Sequence, residues 1–286
     1  MAVAVRTLGR GDEHILADFL ESRADSSMFL RANLYTSGIV DTGKPYTGTF
    51  VAALEGTRIE AVVSLFWNGF LSVQAPYHLG PILTHLNALH VRPIKGLLGP
   101  LAQTDEARQL LGMRNAATRK NSREDLFALG LDQLVVPGHL AAGRWTSRQP
   151  RPAEIDTLIE WRVASGMEAL GGSDDEAARR DAAETIRRQD GEGSLWVLEV
   201  DGRVVSMNSY NARIPDMVQI GGVFTPQDLR GLGFARACVA GSLLAARRAG
   251  VVRSVLFTPK ENASAQAAYR AIGFRVVGEY GLVVFQ

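Results

Sequence analysis

The chain predicts a mixed α/β protein built from two domains of similar size, and three observations point there. Its 286 residues exceed the roughly 100 to 200 of a usual domain, which leaves room for two halves of about 143 that each bury a core. A shift of 145 residues lays Gly48-Thr-Phe-Val-Ala-Ala-Leu-Glu-Gly-Thr-Arg58 over Gly193-Ser-Leu-Trp-Val-Leu-Glu-Val-Asp-Gly-Arg203 and pairs Val73-Gln74 with Val218-Gln219, the mark of an internal repeat. In the second half the elements run ααβββαβαβ, a sheet with helices on its faces.

In the first half, Asp12 to Asn33 predicts a helix and Thr49 to Gln74 a set of strands. A proline-broken stretch follows, then a strand near Ile94 to Leu98, a helix near Thr104 to Leu111 and an extended tail from Leu126 to Val136. Pro137-Gly138 and Arg148-Gln-Pro-Arg-Pro152 have linker chemistry, so the boundary falls near residue 143, with domains 1–143 and 144–286.

The second half is more legible. Ile155, Leu158, Ile159 and Val163 give Pro152 to Ser165 helical spacing, and Ser173 offers an N-cap to a polar helix over Asp174 to Gln189. The period then changes to that of strands over Leu195 to Val200, Val204 to Ala212 and Met217 to Thr225, the first two joined at Asp201-Gly202. A glycine-rich loop leads to an alanine-rich helix from Gly233 to Arg248, a strand Ser254 to Thr258, a helix Ala263 to Ile272 and an extended run Arg275 to Phe285.

Composition excludes several classes. Hydrophobic residues at 46%, charged residues at 21% and a mean hydropathy of +0.00 describe a globular chain. Cations and anions balance at 31 to 30 overall, 14 to 13 up to residue 145 and 17 to 17 beyond it, so neither half has the charge of a nucleic-acid binder. The lone Cys238 can form neither an internal disulfide nor a structural zinc site, which fits a reducing cytoplasm. Arg6, Arg10, Asp12 and Glu13 interrupt any signal-peptide core. The uncharged stretch Ala61 to Val91 carries Asn68, Gln74, Pro76, Gly80, Pro81 and Asn87, a composition of buried strands and turns rather than a membrane span.

The chemistry concentrates in Gly221-Gly-Val-Phe-Thr-Pro-Gln-Asp-Leu-Arg-Gly-Leu-Gly-Phe-Ala235, a strand passing through a loop into a helix. A helix start offers unpaired N–H groups and the positive end of the dipole, so amides from Leu232 to Ala235 can hold a pyrophosphate. Gly231 and Gly233 let the backbone approach it, and Arg230 adds charge. Arg230-Gly-Leu-Gly-Phe-Ala235 resembles the R/Q-x-x-G-x-G/A signature of the GNAT superfamily of acyl-CoA-dependent N-acyltransferases. Asn262 to Ala265, Ala268-Tyr269 and Gly273-Phe274, starting 29 residues after Gly233, resemble that family's following helix and strand.

The resemblance implies two GNAT-like domains of mixed sheet flanked by helices, with the first a degenerate copy. It implies that Val223, Phe224 and Thr225 pair with the pantetheine arm of acetyl-CoA, that Leu229, Arg230, Gly231, Leu232, Gly233, Phe234 and Ala235 grip the pyrophosphate, and that Asn262 hydrogen-bonds the pantetheine. Tyr269 would protonate the departing thiolate, with core packing as the plainer alternative. The family's usual base is missing, because Met217-Val-Gln-Ile-Gly-Gly-Val223 holds no carboxylate; Asp216, Glu168 and Gln219 are the candidates.

Other constellations carry less. Gly231-Leu-Gly233-Phe-Ala-Arg236 imitates a dinucleotide fingerprint, but Arg236 stands where close helix packing needs Gly or Ala. His78, His85 and His90 suggest metal, yet Gly80-Pro81 is expected to break any helix between the first two, and an i, i+5 pair points about 140° apart. Cys238 shares a small-residue face with Ala235, Ser242 and Ala245, which is packing. Arg187-Arg188 and Arg247-Arg248 are solvated faces, or partners for a CoA phosphate. At the 145-residue shift Arg230, Gly231, Gly233 and Tyr269 fall opposite His85, Leu86, Ala88 and Glu124, so the first half lacks a pyrophosphate loop and is expected to wall the acceptor site or stabilise the second half.

Together these features predict a cytoplasmic N-acetyltransferase that moves an acetyl group from acetyl-CoA to a primary amine, on a small molecule or a protein, with no nucleic-acid or membrane partner and no metal. The alternative is a non-catalytic acyl-CoA-binding or regulatory module.

Overall fold

The computed structural model describes residues 3–170 and 173–286. The chain forms two compact units, one reaching Leu126 and taking in Val277–Gln286, the other Phe127–Val276.

The first unit opens with β1 (Val3–Thr7), α1 (Glu13–Glu21) and α2 (Met28–Ser37). An antiparallel meander follows, β2 (Gly48–Glu55), β3 (Arg58–Phe66) and β4 (Phe70–Gln74). Next come α3 (Leu79–Ala88), β5 (Gly96–Pro100), α4 (Leu101–Leu110) and β6 (Thr118–Gly130). β5 lies parallel to β4, the pairing that a crossover helix permits. Strand alternation builds a core on each face of the sheet. Val51 and Ala53 meet Leu79, Ile82, Leu83 and Leu86 of α3 on one side, while Phe50, Ala52 and Leu54 meet Leu16, Phe19, Leu20 and Leu30 on the other.

The second unit repeats this order. A short α5 (Gly138–Ala141) precedes β7 (Thr146–Arg148), α6 (Ile155–Leu170) and α7 (Glu176–Gly191). The strands β8 (Leu195–Val200), β9 (Arg203–Arg213) and β10 (Met217–Phe224) lead to α8 (Phe234–Arg248), β11 (Arg253–Pro259), α9 (Ala263–Ala271) and β12 (Arg275–Phe285). Val218 and Ile220 pack with Val239, Leu243 and Tyr269 of α8 and α9. On the opposite face Leu195, Val197 and Met207 pack with Leu158, Val163 and Ile186 of α6 and α7.

Several expectations change. The helix over Asp12 to Asn33 is two helices, broken by a 3-10 turn at Ala24–Ser26, where the hydroxyls of Ser26 and Ser27 leave the helical path and donate to Gln74 Oε1 at 2.8 and 3.1 Å. The stretch holding Gly80-Pro81 is helical after all, because Pro81 falls in the first turn of α3, where no intrahelical partner awaits its missing N–H. β6 begins eight residues before the expected tail: Thr118 to Asp125 is polar, but its burial alternates as a strand's does. The N-cap of α7 is Asp175, which accepts from the Ala178 amide at 2.8 Å, rather than Ser173.

The division near residue 143 also moves. Phe127, Leu129, Leu131 and Leu134 belong to the second unit's core with Tyr269 and Phe274, while Val283 and Phe285 join the first unit's core. From Val277 onward β12 is part of that unit, paired antiparallel with β5, Leu282 opposite Leu98.

Candidate active site

The site grows from a parallel pair that opens. β10 and β11 pair at Met217–Arg253, Val218–Ser254 and Gln219–Val255; from Ile220 onward β10 continues on β9 alone, through two shifts of register. Gly221 permits the approach of those strands, since a Cβ there would stand 1.9 Å from Asn211 Nδ2. The gap lies at the C-terminal end of parallel strands, where α/β folds place ligands.

Past Phe224 the chain makes a turn at Gln227–Leu229, extends at Arg230 and enters α8 through Gly233, whose φ of +83° is left-handed. Gly231 has φ +82°, and a Cβ on it would meet nothing within 4 Å, so the loop is open to a ligand. No side chain caps α8. The first-turn amides of Phe234, Ala235 and Arg236 are therefore left to an anion at the positive end of the helix.

Arg230 does not supply free charge to this cradle. Its Nε donates to the Thr225 carbonyl at 3.0 Å, and its Nη2 donates to both carboxylate oxygens of Glu168 at 2.9 and 2.7 Å. The side chain braces the two ends of the loop and ties them to α6. The cation beside the amides is Arg236, with Nε 3.0 Å from where a Gly233 Cβ would stand; it makes no hydrogen bond or ion pair with the described residues. Sequence reasoning used Arg236 only against a dinucleotide site, though its place three residues after Gly233, one helical turn on, was the available signal. Arg236 also lines a cavity of ≈ 540 Å³ with Leu232, Phe234, Trp145 and His139, the last two stacked at 4.5 Å.

Asn262 is the N-cap of α9: its Oδ1 accepts from the Ala265 amide at 3.1 Å and from Ser264 Oγ at 3.0 Å, leaving Nδ2 without a partner among the described residues. Tyr269 is 7% exposed, its ring edge-on to Phe127 and Phe274 at 6.2 and 6.1 Å between centroids. Of the three base candidates, Asp216 precedes β10 at the end away from the loop, Glu168 is held by Arg230, and Gln219 is 2% exposed with no hydrogen bond to its buried Nε2.

Cys238 is fully buried, and that burial pushes its thiol far above the ordinary range, which marks a packed side chain. His85 Nε2 lies 3.1 Å from Thr7 Oγ1, and no group of three or more His, Cys, Asp or Glu among the described residues is placed to hold a metal. No helix of the described residues is long and apolar enough to cross a membrane.

The fold has close counterparts among solved structures. A Drosophila protein superimposes with a TM-score of 0.69 at 13% identity, covering 99% of both chains. A tandem GNAT protein from the clavulanic acid biosynthesis pathway gives 0.54 at 14% identity over 99% of this chain and 98% of its own. A GNAT-family acetyltransferase from Colwellia psychrerythraea gives 0.53 at 12% identity over 99% and 100%. These likenesses speak to fold alone, and no curated protein matches the chain in sequence. The family comparison is more direct, for residues 156–274 match the acetyltransferase (GNAT) family, a span that holds the splayed strands, the α8 start and α9. The chain therefore carries a GNAT acetyltransferase domain at residues 156–274, whose family and fold imply acyl transfer from acyl-CoA.

Proposed function

We propose that the second unit transfers an acetyl group from acetyl-CoA to a primary amine by direct attack. The observation that carries this reading is the uncapped, left-handed start of α8 at Gly233 beside the open end of β10 and β11. A diphosphate offers only acceptors and negative charge; the groups waiting here are backbone donors and Arg236. Val223, Phe224 and Thr225 would pair with the amides of the pantetheine arm, and Asn262 Nδ2 would donate to one of its carbonyls.

The step balances simply. The amine lone pair forms the C–N bond to the thioester carbonyl carbon, the C–S bond breaks, and the thiolate takes a proton from the Tyr269 hydroxyl while the amine gives one up to water. A backbone N–H of β10 polarises the carbonyl. The absence of a carboxylate from Met217–Phe224 favours the second reading, a non-catalytic acyl-CoA-binding module, and turnover decides between them.

The first unit binds no CoA in this account. Its matching junction is residues 75–78, between β4 and α3, ten residues upstream of where the 145-residue shift sets it. There Pro81 removes a first-turn donor, and Leu86 lies on the buried face of α3. Calorimetric titration of the full chain with acetyl-CoA tests the assignment: one site per chain, abolished by changes in the Gly233 loop, supports it. Two sites, or one that ignores that loop, sinks it.

A further inference from the structure

On the face of the second unit's sheet covered by α6 and α7, two donors lack acceptors. Arg162 on α6 is half-buried and makes no hydrogen bond or ion pair with the described residues. Burial pushes its guanidinium below its ordinary value, and the charge that acts on it, Arg188 of α7, is a second cation and pushes the same way. Removing a guanidinium from water without a counter-ion is costly, so its setting asks for an anion.

Gln219 is the second donor. Its neighbours Val218 and Ile220 both pack toward α8 and α9, so strand alternation turns Gln219 to the α6–α7 face. It is 2% exposed, and its Nε2 has no partner. Gln74 occupies the matching position of the first unit, also buried, and there Ser26 and Ser27 beside α2 donate to its Oε1; in Gln219 it is the donor, Nε2, that no described residue accepts from. The same face is otherwise well satisfied, with Gln189 Nε2 donating to Ser209 Oγ at 3.0 Å.

We infer that the α6–α7 face of β10 is an acceptor subsite for amines that carry a carboxylate, with Arg162 as its counter-ion and Gln219 as a hydrogen-bond donor to it. This rests on the transferase reading above and narrows its acceptor class. Gln219, unable to serve as a base because an amide does not take up a proton near neutrality, gains a role as a specificity residue.

The test compares alanine with ethylamine and phenylalanine with phenethylamine as acceptors, and phosphoethanolamine as a third kind of anion. The wild type should prefer each carboxylate-bearing amine by 10- to 100-fold in kcat/KM, the range of a charge-assisted pair. In Arg162→Gln that ratio should fall toward one. Because the native guanidinium has no partner among the described residues, the apoprotein's Tm should hold or rise in Arg162→Met; a clear fall would give Arg162 a structural role and overturn the inference. Equal rates for paired amines, or a preference for phosphoethanolamine, would also overturn it. Calorimetric binding of N-acetylalanine to the CoA complex reads the subsite without turnover: binding lost in Arg162→Gln supports it, and binding indifferent to Arg162 defeats it. Intact N-acetylalanine binding with no amine acetylated would count against the transferase reading alone.

Discussion

Replacing Gly233 with valine puts the account of the phosphate cradle at risk. Gly233 sits at φ +83°, a left-handed conformation that costs an L-residue about 1–2 kcal/mol, more for a β-branched one. Its new Cβ would stand 3.0 Å from Arg236 Nε and displace that guanidinium from the uncapped amides. Two separable losses follow. The apoprotein should melt a few degrees lower, as that strain predicts for a unit of this size. The stabilisation that wild type gains from CoA at a hundred times its Kd, about 2.7 kcal/mol, should vanish. Differential scanning fluorimetry with and without saturating CoA reads both. A variant that melts lower yet keeps the full wild-type shift with CoA would refute the cradle while leaving the strain argument intact. A shift with NAD in place of CoA would refute the ligand.

Three further outcomes are expected. In Tyr269→Phe the ring keeps its contacts with Phe127 and Phe274, so stopped-flow turnover should fall by about 10²-fold or more with acetyl-CoA affinity little changed; unaltered turnover would assign Tyr269 to packing. A fragment of residues 144–286 loses Phe127, Leu129, Leu131 and Leu134 from its core, roughly 6–12 kcal/mol at about 1.5–3 kcal/mol per side chain, comparable to a whole domain's stability; it should be unfolded by circular dichroism, whereas 127–276 should fold. Arg148 joins Glu154 and Glu199 at the start of α6, and hydrogen bonds from Arg148 hold both carboxyls below their usual range; depressed carboxyls stabilise fully above their unfolded pKa of about 4.3 and lose that contribution as pH falls through the folded values, so wild-type Tm should drop more steeply below pH 4.5 than that of Arg148→Met, and parallel slopes would contradict the clamp.

The hairpin of the second half was legible because its strands satisfy two local rules at once. β8 matches its expected bounds, Leu195 to Val200, where apolar alternation ends at an Asp-Gly turn. The stretch from Val223 to Ala235 runs from the end of β10 into the first turn of α8. What escaped was decided by partners distant in the chain. β1 and β7 are strands through pairing with β2 and β8, and nothing local in Thr146–Arg148 announces it. The true division between units depends on which core receives Phe127 and Val283, and that is a tertiary fact. Arg230 looked like the phosphate's counter-charge because it lies within the motif; its Glu168 partner is 62 residues away. That no described residue pairs with Arg236 or Arg162 is likewise invisible in the sequence.

Amine-dependent acyl transfer by the second unit is read by single-turnover release of free thiol from acetyl-CoA, with mass detection of the acetylated amine across a panel of acceptors. Thiol should be released only when an acceptor is present, with one acetylated amine per thiol, and both should be lost in Gly233→Val. Tight acetyl-CoA binding with no amine-dependent thiol release from any member of the panel would contradict it and leave an acyl-CoA-binding module in its place.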